Sequence, residues 1–111
     1  MNIIALAENL ELAVDEIFGL MKLFYDNSLF DLRILQEAWT KGATHEVAEA
    51  AHSIKGGAIN LGLQGIHKVA KEIELKARRN NLKEVKKALP LLQEKLDRLG
   101  QSILNRSMKI P

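Results

Sequence analysis

The apolar residues Leu82, Val85, Leu89, Leu92, Leu96, Leu99 and Ile103 follow one another at steps of three and four, and this constrains the chain more than any other feature. A repeat near 3.5 residues is the seam of left-handed helix packing, so the segment needs other helices to cover it. Pro90 lies inside the seam and predicts a kink or local strain. The remaining apolar residues have the same period. Leu10, Val14, Ile17, Met21, Phe24, Leu32, Leu35 and Trp39 predict one long helix, stopped by Lys41 and Gly42. Asp26-Asn27-Ser28 weakens that stripe without a Pro or Gly to break it. A short extra helix is expected near residues 3–9.

Thr44 reads as an N-cap, with Glu46 and Glu49 in the early turns. Val47, Ala50, Ala51, Ile54, Ala58 and Leu61 form the buried stripe of the helix that follows, which Gly62 closes. Leu63, Ile66, Val69, Ala70, Ile73 and Ala77 mark another, stopped at Asn80-Asn81. Connections this short favour antiparallel neighbours, so the expected fold is an all-α, up-down-up-down four-helix bundle with a short extra N-terminal helix. A chain of 111 residues holds one domain, 1–111, whose tail from Asn105 onward is expected to fray.

Cysteine is absent, which excludes disulfide scaffolds, thiolate zinc sites and thiol catalysis. No stretch approaches the roughly 18 apolar residues of a membrane span, and the N-terminus lacks the basic start of an export signal. A cytoplasmic setting is therefore expected. Charge is uneven: residues 1–55 hold 4 basic and 9 acidic side chains, net −5, whereas residues 56–111 hold 12 and 5, net +7. The basic half includes Arg78-Arg79 and Lys83, Lys86 and Lys87, but all the aromatics lie between Phe18 and Trp39. Without aromatic interleaving or a helix-turn-helix pattern, a solvated face explains the charge better than nucleic acid.

The segment AAHSIKGGAINLG, residues 50–62, carries the chemistry. At 100° per residue His52 falls about 160° from Ile54, on the face opposite the core. Small neighbours one turn away, Ala48 and Gly56, leave the imidazole open, and Lys55 stands at i+3. Each glycine inside a helix costs about 1 kcal/mol relative to alanine, so Gly56-Gly57 implies close approach by another molecule. A neutral imidazole is a competent nucleophile that can carry a phosphoryl group, and Lys55 offers a point charge for its oxygens.

AHSIKGGAINLG resembles the signature of histidine-containing phosphotransfer (HPt) domains: alanine-histidine, then Lys at +3 and Gly at +4. Leu61-Gly62 and Ile73-Glu74 with Arg78 following are similar as well, and AAHSIKGG also resembles the N-terminal phosphorylated domain of chemotaxis histidine kinases. The resemblance spans roughly residues 14–104. It implies a phosphorelay intermediate in which Nε2 of His52 accepts a phosphoryl group from a receiver-domain aspartyl phosphate, or from a sensor histidine kinase, and passes it to a response-regulator receiver domain. Lys55 then matches the residue supporting the phosphate, Gly56 the one making room, and Glu74 the one orienting the ring. A salt bridge with Lys71 or Arg78 is the other reading of Glu74, and Lys71 is the other candidate to assist the phosphate. The resemblance implies no cofactor of the chain's own, Mg²⁺ arriving with the receiver, and a monomer is expected. The expected footprint of the partner joins Ala48, Lys55, Gly56 and Ile59 around His52.

No nucleotide motif accompanies this site, since the glycines at 57 and 62 are followed by Leu63 where a P-loop needs Lys. Transfer is thus expected to depend on a partner. The alternatives are a metal-binding bundle using Glu49 and His52, and a structural helical interaction module. Glu49-x-x-His52 has di-iron spacing, but a matching motif at His67 fails because Gln64 replaces its glutamate. His67 and His45 read as ordinary packed or surface histidines.

Overall fold

The structure is a computed structural model and describes residues 7–8 and 13–109. It holds four helices and, among the described residues, no strand: α1 (Val14–Thr40), α2 (Thr44–Asn60), α3 (Gln64–Arg78) and α4 (Leu82–Lys109). The short helix expected at 3–9 lies outside the described residues apart from Ala7 and Glu8, which are helical. So does Leu10, the expected start of the long helix, and α1 begins at Val14.

The three connections are built alike. After α1, Ala43 N–H donates to the carbonyl of Ala38 (2.8 Å) and Gly42 N–H to that of Trp39 (3.1 Å), with Gly42 at φ +71°. After α2, Leu63 and Gly62 repeat this on Ala58 and Ile59, with Gly62 at φ +70°. After α3, Asn81 and Asn80 repeat it on Lys76 and Ala77, with Asn80 at φ +59°. Each turn closes a Schellman motif around a left-handed residue, glycine twice and asparagine once, satisfying the last carbonyls of the helix. This geometry corrects the capping expectation. Ala43, the residue leaving the turn, occupies the N-cap without a side-chain bond, so Thr44 is already the first helical residue. Asn81 does cap the last helix, its side-chain oxygen accepting from Glu84 N–H at 3.3 Å.

Each helix packs on the next, and α4 returns to α1. Ile17, Met21, Leu35, Ile54, Ile73, Leu92 and Leu96 are the largest fully buried side chains. Indole Nε1 of Trp39 donates to the carbonyl of Leu82 (2.8 Å), tying the end of α1 to the start of α4, and Lys86 Nζ sits 5.6 Å from the ring. Ser28 is buried in the α1 stripe at the place where sequence polarity weakened it. Helix α4 runs through Pro90 and past Asn105 to Lys109. In its seam Val85, Leu92, Leu96, Leu99 and Ile103 are buried, and Leu82 and Leu89 are half-buried.

Candidate functional site

Helix α2 packs against both α1 and α3, so its buried arc is broad and takes in Ala48 as well as Val47, Ala51, Ile54 and Ala58. This corrects the reading of Ala48 as an open neighbour: it is 1% exposed, inside the seam with α3. His52 stands at the rim of that seam, its side chain 57% exposed. Facing it on α3 is Glu74, which shares the helix's buried side with Ile73 and Ala77 and is only 6% exposed.

A carboxylate at that depth must be compensated. Lys55 Nζ lies 2.6 Å from its Oε1, while Arg78 reaches Oε2 through Nη2 (2.9 Å) and Nε (3.2 Å). Nδ1 of His52 lies 2.9 Å from the same Oε2. Burial pushes the Glu74 carboxyl up, but the bonds from Lys55, Arg78 and His52 outweigh it and hold the group down at about 2. Glu74 is therefore ionised at neutral pH and can only accept hydrogen bonds. It follows that Nδ1 of His52 carries the hydrogen and donates it. In the neutral ring the lone pair is then on Nε2, on the imidazole's other side.

Lys55 does not face water. Its side chain is 25% exposed and turned into the seam by Glu74. Lys71 sits on the exposed side of α3 and forms no ion pair among the described residues. One side chain, Glu74, contacts both the His52 ring and Arg78. Arg78 Nη2 also lies 3.4 Å from Glu49 Oε1 on α2.

The adjacent glycines have separate uses. A Cβ on Gly57 would meet Cδ1 of Phe24 at 2.8 Å, so Gly57 lets α1 approach α2 closely. A Cβ on Gly56 would meet nothing within 4 Å. Only Gly56 leaves space outside the fold, and the reading of the pair as one device for an outside partner is corrected for Gly57. Ile59, one turn beyond Lys55, is 57% exposed.

His67 lies half-buried on α3 with Nδ1 3.4 Å from the carbonyl of Lys55, and among the described residues no carboxylate is bonded to it to set its tautomer. Among the described residues no three His, Asp or Glu side chains converge as metal ligands, and Glu49 is directed to Arg78 and His45. No helix is long and apolar enough to cross a membrane among the described residues.

The Hpt domain family matches residues 19–102. Among solved structures, the chain is similar to the histidine-containing phosphotransfer protein B (HptB) from Pseudomonas aeruginosa PAO1, with a TM-score of 0.83 and 26% identity. That match covers 98% of this chain and 92% of the other. None of the curated proteins compared with it matches.

Proposed function

The chain belongs to the Hpt domain family and is a histidine phosphotransfer protein of a phosphorelay, and from that premise we propose that His52 is the phosphoryl acceptor. The observation that carries this reading is the bond between Nδ1 and an ionised Glu74, which leaves the Nε2 lone pair free on an exposed ring. Nε2 attacks the phosphorus of a receiver's aspartyl phosphate, or of a kinase-borne phosphoryl group. The N–P bond forms as the bond from phosphorus to the donor atom breaks, and the electron pair leaves on that atom, the carboxylate oxygen when the donor is an aspartyl phosphate. The ring gains positive charge, which Glu74 stabilises through Nδ1–H. Reversal onto another receiver's aspartate returns the pair to Nε2.

Lys55, anchored on Oε1 of Glu74, keeps a cation one turn from the ring for the phosphoryl oxygens. Gly56 leaves the space through which a partner's active site reaches Nε2. The Mg²⁺ and the acceptor aspartate come with the receiver, and this chain needs no cofactor of its own. Family members partner with receiver domains and kinases. The docking surface here joins His52, Gly56 and Ile59 with Leu20 and Leu23 of α1, which are 43% and 58% exposed beside Gly57. We read residues 1–111 as one cytoplasmic, monomeric domain that does not bind nucleic acid, with helices running up-down-up-down, a direction supported by the short turns at Gly42, Gly62 and Asn80.

Transfer from a radiolabelled phospho-receiver tests this assignment. Label is expected on the wild type, acid-labile and alkali-stable, and absent from His52→Gln. Retention in His52→Gln refutes the assignment, and loss in His67→Gln alone moves it to His67.

A further inference from the structure

Arg78 has no part in the transfer just described, yet it binds the very oxygen that holds the histidine. Oε2 of Glu74 accepts from Nδ1 of His52 at 2.9 Å and from both Nη2 and Nε of Arg78. Lys55 takes the other oxygen, Oε1. The same Nη2 also lies 3.4 Å from Oε1 of Glu49 on α2, so the guanidinium spans the seam between the two helices. An oxygen shared between an imidazole N–H and a guanidinium is a weaker base than one serving the imidazole alone. This matters at one moment. When Nε2 attacks phosphorus the ring becomes cationic, and a strongly basic carboxylate would draw off the Nδ1 proton or, in the resting site, favour a doubly protonated ring with no lone pair.

We propose that Arg78 is a positioning residue that acts on His52 through Glu74: it restrains the basicity of Oε2, keeps one proton on Nδ1, and so sets the lowest pH at which Nε2 can accept a phosphoryl group. The inference rests on His52 being the acceptor. No proton crosses to Glu74 in the step. The N–P bond forms, the donor bond breaks with its pair on the leaving group, and the Nδ1 proton stays on the ring throughout.

The charged groups facing the cluster are Glu49, His52 and Lys55 from α2 and Arg78 beside Glu74 on α3, with His45 4.0 Å from Glu49. Among the described residues, no charged side chain of α1 or α4 is ion-paired or hydrogen-bonded to them. Among the described residues, Arg78 and Lys55 are thus the cations that restrain Glu74 by direct contact, and of these Arg78 does so at the oxygen holding the ring.

The test is phosphorylation by phosphoramidate, which needs no receiver, followed from pH 5 to 8 in the wild type, Arg78→Gln and Arg78→Lys. In Arg78→Gln the acid limb moves to higher pH by about half a unit or more, so the ratio of variant to wild-type rate falls as pH is lowered. Arg78→Lys restores part of the shift, because lysine returns a charge but not both N–H bonds. In carboxyl-carbon NMR the Glu74 titration rises from about 2 in Arg78→Gln, a readout that does not depend on phosphorylation. A ratio equal at every pH, with the Glu74 titration unmoved, overturns the inference and leaves Arg78 a structural clamp. If Arg78→Gln does not fold, Arg78→Lys decides alone: its acid limb must still move upward, and an unmoved limb overturns the inference. Failure of the wild type to take label on His52 refutes the underlying assignment instead, whatever the Glu74 titration shows.

Discussion

The seam between α2 and α3 and the seam of α4 are both helix-packing surfaces, but they are built from opposite materials. Val85, Leu92, Leu96, Leu99 and Ile103 close the α4 seam with apolar side chains alone. The α2–α3 seam places a buried carboxylate, two cations and an imidazole at its rim. A hydrophobic seam tolerates small shifts of its parts, because its attraction has no direction. A hydrogen-bonded cluster holds its members to fixed atoms and loses its effect when one is displaced. The bundle is stabilised by the first kind of surface, and the proposed transfer uses the second.

Glu74→Gln presses hardest on that contrast. Loss of the charge that fixes the ring and gathers Lys55 and Arg78 should lower phosphoryl acceptance by about a hundredfold, measured by transfer from a phospho-receiver. A change under twofold would show that the ring needs no orienting anion. The same group makes the fold acid-sensitive. Its folded carboxyl lies at about 2 against 4.5 ordinarily, so its contribution, of order 3 kcal/mol, is complete above pH 4.5 and lost as pH falls through 2. Melting temperature plotted against pH should fall across that window in the wild type and less steeply in Glu74→Gln.

Leu96→Ala probes the other seam. Removing a fully buried leucine should cost about 2–5 kcal/mol in denaturant unfolding, while the folded fraction transfers phosphoryl groups within about twofold of wild type. Loss of transfer in folded protein would mean that the two seams are coupled. The smallest effect should come from the glycines. Gly57→Ala drives a methyl into the Phe24 ring and should destabilise by about 1–3 kcal/mol. Gly56→Ala enters open space and should stabilise the helix by about 0.5–1 kcal/mol, while slowing exchange with receivers.

Much of this was legible in the sequence, and the limits have a geometric cause. The four helices follow from apolar spacing, and His52, Lys55 and Gly56 from one short segment. The errors cluster where a helix meets two neighbours. Around α2, Lys55 lies about 100° and Ala48 about 120° from Ile54, both on the side of His52 at about 160°. A helical wheel assigns all three to solvent. Only the position of α3 reveals that Lys55 and Ala48 are in the seam and that His52 is its first exposed residue. Gly57 was misread for the same reason, since Phe24 is 33 positions away in the chain. Thr44 looked like a cap because capping residues are recognised by type. The backbone of a Schellman turn had already given that place to Ala43. The role of Glu74 could be carried over by resemblance, but its four simultaneous bonds could not be read from spacing.

The three matching turns also bear on how quickly the molecule forms. Gly42, Gly62 and Asn80 join each helix to the one it packs on, so most of the packing is between chain neighbours, while α1 against α4 joins distant parts. Search over such local pairings carries little loop-closure entropy, which places this bundle among the domains that fold in microseconds to milliseconds. The joining of α1 to α4, marked by the bond from Trp39 to Leu82, is then expected to close last, and tryptophan fluorescence during refolding checks it.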